Sequence, residues 1–135
     1  MATRSTISIL NLDGTVNSIY CHWDGYIDGI GLTLLKHYNT RESINKLIAG
    51  GEISSLGSYV SDKMESFDPD KGEEYTVFYS YRGESKSAKT YSSIEEFEKN
   101  FGRQDFNYIF IDGVWSVDRD NDWEDLEFVI GGNNE

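Results

Sequence analysis

The sequence of 135 residues has one cysteine, one proline and no long apolar run. A single cysteine cannot form an internal disulfide bond, so nothing in the sequence points to an oxidising compartment. No apolar stretch reaches the length of a signal-peptide core or of a membrane span. These absences predict a cytoplasmic protein that does not contact membranes and that is stabilised by an ordinary hydrophobic core.

Positive charge is also scarce. Twelve lysine and arginine residues stand against 24 aspartate and glutamate residues, and the formal net charge is −12. A field of that sign repels phosphate backbones and anionic lipids, so direct binding to nucleic acid is not expected. A basic protein partner is favoured instead, including a nucleic-acid-binding protein whose basic groove this chain would occupy. The alternative is that the charge only keeps the protein soluble.

Two β-hairpins are predicted from alternating segments that flank Asp-Gly turns. Their strands cover residues 6–10 and 16–20 in the first hairpin, and 106–111 and 114–117 in the second. A further strand is predicted at 75–81, which is rich in aromatic and β-branched residues. A last strand or edge segment is predicted within residues 123–130.

Three short helices are predicted from apolar spacing and capping residues. One covers 31–38, and a second begins after the N-cap Thr40 and ends at Gly50. A third begins after the N-cap Ser92, because Glu95 three residues later completes a capping box. We therefore expect a single α+β domain over 1–135. It would have a mainly antiparallel sheet of about five or six strands, two or three helices packed on one face and a frayed tail at 131–135.

Most of the reactive side chains lie in one segment after the first hairpin. Residues 21–26 read Cys-His-Trp-Asp-Gly-Tyr, and glycines follow at 29 and 31 before a predicted helix. Glycines before a helix are typical of phosphate-binding loops, and exposed aromatic rings can stack a base. The spacing matches neither the dinucleotide nor the P-loop signature. The candidate ligand pocket consists of His22, Trp23, Asp24, Tyr26 and Gly29. The alternative is that the glycines only permit a tight strand-to-helix crossover.

The same segment contains candidate groups for metal binding and for cysteine catalysis. Cys21, His22, Asp24, Asp28 and His37 are suitable ligand types. Adjacent side chains on a strand point to opposite faces, so Cys21 and His22 would rarely hold one ion. The same alternation separates them as a nucleophile and its base. We therefore expect no metal, no cofactor and no catalytic residue.

Two acidic segments provide a different candidate surface. Residues 62–74 contain six acidic residues against two lysines, and residues 118–127 contain six against Arg119 alone. Carboxylates interleaved with aromatic rings could imitate the phosphates of a duplex for a basic groove. The predicted interaction surface consists of Asp118, Asp120, Asp122, Glu124 and Asp125. The alternative is that both segments are solvated loops, as charge runs usually are.

Several segments resemble a family of small proteins carried by tailed bacteriophages and prophages. They are MATRSTI at the N-terminus, SIYCHWDGY at 18–26, LL at 34–35, HYN at 37–39, ISSLG at 53–57 and the hairpin at 108–115. The resemblance implies a phage origin and a place in the cytoplasm of the host cell. It implies no catalytic residue, because the function of the family is mostly unassigned.

Small acidic phage proteins without an enzyme motif are often inhibitors of host systems. The resemblance and the charge together predict a non-enzymatic binding protein that inhibits a host component in antiviral defence by mimicking nucleic acid. Two alternatives stay open. One is a binder that sequesters a small signalling nucleotide through the loop at 21–31, and the other is an enzyme that acts on such a nucleotide.

Overall fold

The structure is a computed structural model that describes residues 3–58, 60, 67–68, 73–74, 76–79, 86–119 and 122–132. The strands within these residues are β1 Ser5–Leu10, β2 Val16–Cys21, β3 Ile53–Ser55, β4 Phe67–Asp68, β5 Glu73–Glu74, β6 Val77–Phe78, β7 Lys89–Tyr91, β8 Phe106–Ile111, β9 Val114–Asp118 and β10 Trp123–Asp125. The helices are α1 Leu32–His37, α2 Arg41–Ala49, α3 Ile94–Asn100 and α4 Leu126–Gly132, and a π-helical turn, Ile27–Gly31, leads into α1. None of the helices in this part of the chain is both long enough and apolar enough to span a membrane.

Both predicted hairpins are confirmed. β8 and β9 pair across a two-residue turn whose residues Asp112 and Gly113 have φ values of 49° and 86°. Positive φ at both positions is typical of a type I′ turn, which matches the twist of the flanking strands. In the first hairpin β1 pairs with β2 from Leu10 and Val16 onward, and the Asp13 carboxylate accepts a hydrogen bond from the Thr15 amide at 3.0 Å.

The sheet is larger than predicted and is mixed, although five of its seven strand pairings among the described residues are antiparallel, as predicted. Eight strands belong to it, in the order β10-β9-β8-β1-β2-β3-β6, with β7 also paired to β2. The central pair β1–β8 is parallel, and β2 meets β3 in parallel at Cys21 and Ile53. β3, β6, β7 and β10 have two or three residues each. β3 lies outside every predicted strand, because three residues are too few to show a readable alternation, and the prediction of five or six strands was therefore too low.

Helices lie on both faces of the sheet, so the prediction of one helical face is wrong. On one face, Ile7 and Ile9 belong to a core with the π-helical turn, α1, α2 and α4. On the other face, Ile109 packs in a second cluster with Phe97 and Phe101 from α3 and the segment that follows it. The neighbours of Ile109 in β8, Tyr108 and Phe110, belong to the first core, as expected when successive side chains alternate.

The helix starts follow the capping chemistry, with one shift of register. Thr40 caps α2 as predicted, and its side chain accepts a hydrogen bond from the Ser43 amide at 3.1 Å. α3 begins one residue later than predicted, because Ser93 rather than Ser92 accepts from the Glu96 amide. Ser92 instead donates its hydroxyl and its amide hydrogen to the Glu96 carboxylate.

Three predicted segments differ from the structure or fall partly outside it. Within the predicted strand at 75–81, β6 covers Val77–Phe78, and residues 75, 80 and 81 lie outside the described chain. The predicted edge segment at 123–130 is strand only as far as Asp125, and α4 follows. Of the predicted frayed tail, Gly131 and Gly132 belong to α4, and residues 133–135 are not described.

Candidate functional site

The loop that follows β2 is held by main-chain hydrogen bonds on two sides. The amides of His22 and Trp23 donate to the carbonyl oxygens of Ile53 and Ser54, at 3.2 and 3.0 Å. The amide of Gly25 donates to the carbonyl oxygen of Thr3 at 2.9 Å. Between these anchors Asp24 has a φ of 59°, a left-handed conformation that is uncommon outside glycine. The loop is therefore tied both to β3 and to the chain that enters β1.

The glycines of this loop are explained by close packing. A Cβ atom at Gly25 would lie 2.8 Å from the carbonyl oxygen of Thr3, and one at Gly29 would lie 2.5 Å from that of Asp24. The amide of Gly29 donates to Tyr26 and that of Ile30 to Asp24, both at 3.0 Å. A phosphate loop needs such amides to be free for the anion. The geometry therefore favours the tight crossover over a phosphate loop.

The side chains of the predicted ligand pocket point to different surroundings. Trp23 and Tyr26 are 45% and 44% exposed, and Asp24 is exposed beside them in the chain. The His22 ring meets Trp23 edge-on, with 4.7 Å between centroids, and its Nδ1 lies 2.8 Å from the Tyr20 hydroxyl. Two cavities of the described chain, of about 130 and 190 Å³, are lined by residues outside this loop. The loop therefore presents aromatic rings outward.

Cys21 faces the core and is fully buried. Its Sγ donates to the carbonyl oxygen of Trp23 at 3.5 Å, and burial raises the pKa of the thiol to about 12. At neutral pH this thiol is protonated and out of contact with solvent, so it is a poor nucleophile and a poor metal ligand. Among the residues that the structure describes, no three His, Cys, Asp or Glu side chains are grouped so as to hold an ion.

Tyr108, a buried residue of β8, fixes the loop from beneath. Its hydroxyl donates to the carbonyl oxygen of Gly25 at 2.7 Å, and burial raises the pKa of its phenol well above the ordinary value. Tyr38 anchors the neighbouring segment in the same manner, by donating to the carbonyl oxygen of Gly57 at 2.9 Å. The sequence placed Tyr108 in a hairpin but gave no sign of this contact, because its partner lies 83 residues away.

Only some residues of the predicted acidic surface are exposed in the structure. Asp118 is 1% exposed, pairs with Arg103 and accepts from Asn107 Nδ2 at 3.0 Å, so its assignment to an exposed stripe is wrong. Asp118 belongs to β9 and is the register partner of Asn107 in β8, so the two side chains lie on the same face of the sheet. Asp120 lies outside the described residues.

The remaining predicted carboxylates stand around the start of α4. Asp122 is exposed, and Glu124 forms an ion pair with Arg119 at 3.4 Å. Asp125 is also exposed, and its Oδ1 accepts from the Phe128 amide at 2.9 Å, which caps α4. Of the other acidic segment, 62–74, the structure describes Asp68 at the end of β4 and the short strand β5.

The fold brings the two candidate regions together, although the sequence treats them as separate. α4 packs on the π-helical turn, and Leu126 Cδ1 lies 3.3 Å from the position of a Cβ atom at Gly31. Leu126 and Ile30 share the first core cluster. On α4, Glu127 is exposed and Phe128 is 75% exposed. We call the exposed residues of these adjoining segments the aromatic–acidic region: Trp23, Asp24, Tyr26, Asp28, Asp125, Glu127 and Phe128.

No protein-family model, curated protein or solved structure matches this chain. The bacteriophage relationship and the location in a host cytoplasm therefore stay predictions. The function has to be inferred from the chemistry of the residues themselves.

Proposed function

We propose that this protein is a non-enzymatic binding protein, encoded by a phage, that inhibits a host antiviral-defence component by occupying its basic groove with the aromatic–acidic region. The observation that carries the proposal is the packing of α4 on the π-helical turn. It places acidic residues that are about a hundred positions apart in the sequence on adjoining segments.

The composition of the aromatic–acidic region fits a protein partner. It combines three exposed aromatic rings with four carboxylates and contains no basic residue. Aromatic side chains are the usual anchors of protein interfaces, where they bury large areas at a small cost in entropy. Carboxylates around them steer a positively charged partner and fix its orientation. A net charge of −12 acts in the same direction over the whole molecule.

The alternative of nucleotide sequestration has weaker support at this place. The amides of Gly25, Gly29 and Ile30 already donate to carbonyl oxygens, and the nearest charged groups in the loop, Asp24 and Asp28, are acidic. A nucleotide phosphate would meet repulsion there with few donors to offset it. The alternative of an enzyme that uses Cys21 is disfavoured by the burial of the thiol.

Native mass spectrometry of tagged protein recovered from phage-infected bacterial cells tests the proposal. We expect a retained host protein that dissociates as salt is raised, because exposed charges are screened within about 8 Å at physiological ionic strength. A retained mass of nucleotide size would replace the proposal with sequestration. A bare protein in every sample would refute both.

A matched pair of variants locates the contact. The triple variant Asp24→Asn, Asp28→Asn and Glu127→Gln removes three charges from the aromatic–acidic region. The control Asp13→Asn, Glu42→Gln and Glu95→Gln removes three exposed charges from other elements. We expect the first variant to lose the partner and the control to keep it. Equal losses would mean that total charge alone governs binding.

A further inference from the structure

A notch in the sheet edge lies on the face opposite the first core. β7 pairs with the outer edge of β2 as far as Ser18, and β3 pairs with the same edge only at Cys21. Among the described residues, no strand pairs with that edge at Ile19 and Tyr20. A cavity of about 130 Å³ opens at this place, between the strands and the chain that follows α3. The cavity is therefore produced by a change of strand partner along β2.

The floor of the notch is polar although it is buried. Thr6 and Ser18 line it, and each is 6% exposed. The Thr6 hydroxyl donates to Asn107 Oδ1, and the Ser18 hydroxyl accepts from Ser8, both at 2.8 Å. Thr6 therefore keeps lone pairs, and Ser18 keeps its own hydrogen, for a further partner. Buried polar groups are stable when such capacity is used, by water or by a ligand.

Two side chains of opposite charge line the same notch. Lys89 lies in β7 directly across from Ser18, and Glu52 immediately precedes β3. No ion pair joins Lys89 or Glu52 to each other or to another residue in the described part of the chain. Rings of Tyr20, Tyr91 and Phe101 complete the walls. The notch thus offers one cation, one anion, hydroxyl groups and aromatic surface within a small volume.

We propose that this notch binds a free α-amino acid, with the ligand carboxylate at Lys89, its ammonium group at Glu52 and its side chain against the aromatic walls. Size supports this class, because the cavity of about 130 Å³ is close to the roughly 150 Å³ that holds a ligand of the size of benzene. Charge supports it too, because a zwitterion is neutral and is not repelled by a protein whose net charge is −12.

The amino-acid site is separate from the aromatic–acidic region, and no residue belongs to both. Either one can therefore fail without the other. The ammonium group would gain from the tyrosine and phenylalanine faces as well as from Glu52, since cations are attracted to aromatic rings. An analogue that lacks the ammonium group has neither of these interactions.

Thermal unfolding of the full chain with each standard free α-amino acid at millimolar concentration gives the first test, followed by calorimetric titration. We expect at least one amino acid to raise the midpoint, since a ligand that binds only the folded state stabilises it. The matching amine without its carboxylate and the matching acid without its ammonium group should each raise it less, because each loses one of the two charged contacts, and adenosine monophosphate should not raise it. No shift with any amino acid, or equal shifts with these analogues, would overturn the proposal.

Charge variants then assign the contacts. Lys89→Met and Glu52→Gln should each weaken the affinity about tenfold or more, because each removes a charged hydrogen bond. The controls Lys36→Met and Glu42→Gln change exposed residues on α1 and α2 and should leave the affinity unchanged. Binding that survives both notch variants, or that falls equally in the controls, would refute the site.

Amide chemical-shift mapping of the unmodified protein gives a readout that does not depend on the folding of a variant. We expect the amino acid to shift the amides of residues 18–20 and 89–91. Shifts confined to the loop at 22–29 or to α4 would place the ligand elsewhere and overturn the assignment.

Discussion

The two faces of the sheet differ in what they bury. Along β1, Ile7 and Ile9 alternate with Thr6 and Ser8, and all four side chains are buried. The face of Ile7 is apolar and is covered by the π-helical turn, α1, α2 and α4, whereas the face of Thr6 is apolar only under α3. Beyond α3 that face carries hydrogen-bonded polar groups and the notch. One face thus supplies most of the apolar burial, and the other leaves room for recognition.

The largest effect is expected from a truncation on the apolar face. Ile7→Ala should lower the free energy of unfolding by about 2–5 kcal/mol, because it removes fully buried methyl and methylene groups and leaves a cavity. Urea denaturation followed by circular dichroism measures the change. Leu12→Ala, at a residue 89% exposed in the first hairpin turn, is the control and should stay within about 0.5 kcal/mol of the parent. Similar losses at both positions would show that Ile7 is not in a tight core.

A smaller effect is expected from the polar face. Asp118→Ala should lower the free energy of unfolding by about 1–3 kcal/mol, because it leaves the buried Asn107 amide and the Arg103 guanidinium without their carboxylate. Asp118→Asn keeps an acceptor and should lose less. Urea denaturation of the two variants, with Asp122→Ala as an exposed control, measures the difference. If Asp118→Ala left the free energy of unfolding unchanged, a structural role for the polar face would be contradicted.

The loss of stability at high pH tests the burial of Cys21 on the apolar face, because deprotonation of the thiol adds a charge and leaves the packing volume nearly unchanged. Burial raises the pKa of Cys21 from 9.0 in the unfolded chain to about 12. The unfolded chain therefore releases the thiol proton first, and the stabilisation present below pH 9 is lost as the pH rises towards 12. At about pH 10 the loss from Cys21 should be about 1–2 kcal/mol.

The check for this alkaline effect is urea denaturation across that pH range. Cys21→Ala should show a shallower decline in stability than the parent, although its stability at neutral pH will be lower. Tyr38, whose pKa burial also raises to about 12, should leave a residual decline in both proteins. Identical slopes would mean that the thiol is not buried in the folded protein.

The smallest change concerns the contact between the sheet and the loop. Tyr108→Phe removes the hydrogen bond to the Gly25 carbonyl oxygen and should cost about 1 kcal/mol. Hydrogen exchange should quicken at the amides of Trp23 and Gly25 before it changes in β1. Tyr91→Phe, on the opposite face, is the control and should leave loop exchange unaltered. Unchanged exchange in Tyr108→Phe would show that the loop does not depend on this anchor.

Local chemistry made part of the fold predictable. Asp-Gly turns between alternating segments identified both hairpins, and a threonine N-cap placed α2, because the backbone conformations at turns and caps are set by a few adjacent residues. The parallel pairing of β1 with β8 could not be predicted in the same way. It depends on which distant strand packs beside β1, and a strand's own pattern contains no information about its neighbour.

The candidate site was predictable in its residue types and not in its arrangement. Trp23, Asp24 and Tyr26 are exposed, as a binding surface requires. The position of α4 beside the segment that contains them depends on the packing of Leu126 near Gly31, which the sequence does not predict. The burial of Asp118 was missed because the strand was predicted to end at 117, which placed Asp118 in the acidic segment, whereas β9 extends to Asp118. Here both faces of the sheet are covered, so alternation does not distinguish inside from outside.

The central pairing of β1 and β8 also affects how the chain folds during its synthesis. Ser5 is paired with Phe106, so during synthesis β1 must wait for about a hundred further residues before its second edge is covered. Long-range pairing of this kind slows folding, and an uncovered strand edge invites pairing with other chains. Translation that stops before β8 should therefore yield aggregating fragments rather than a smaller folded protein.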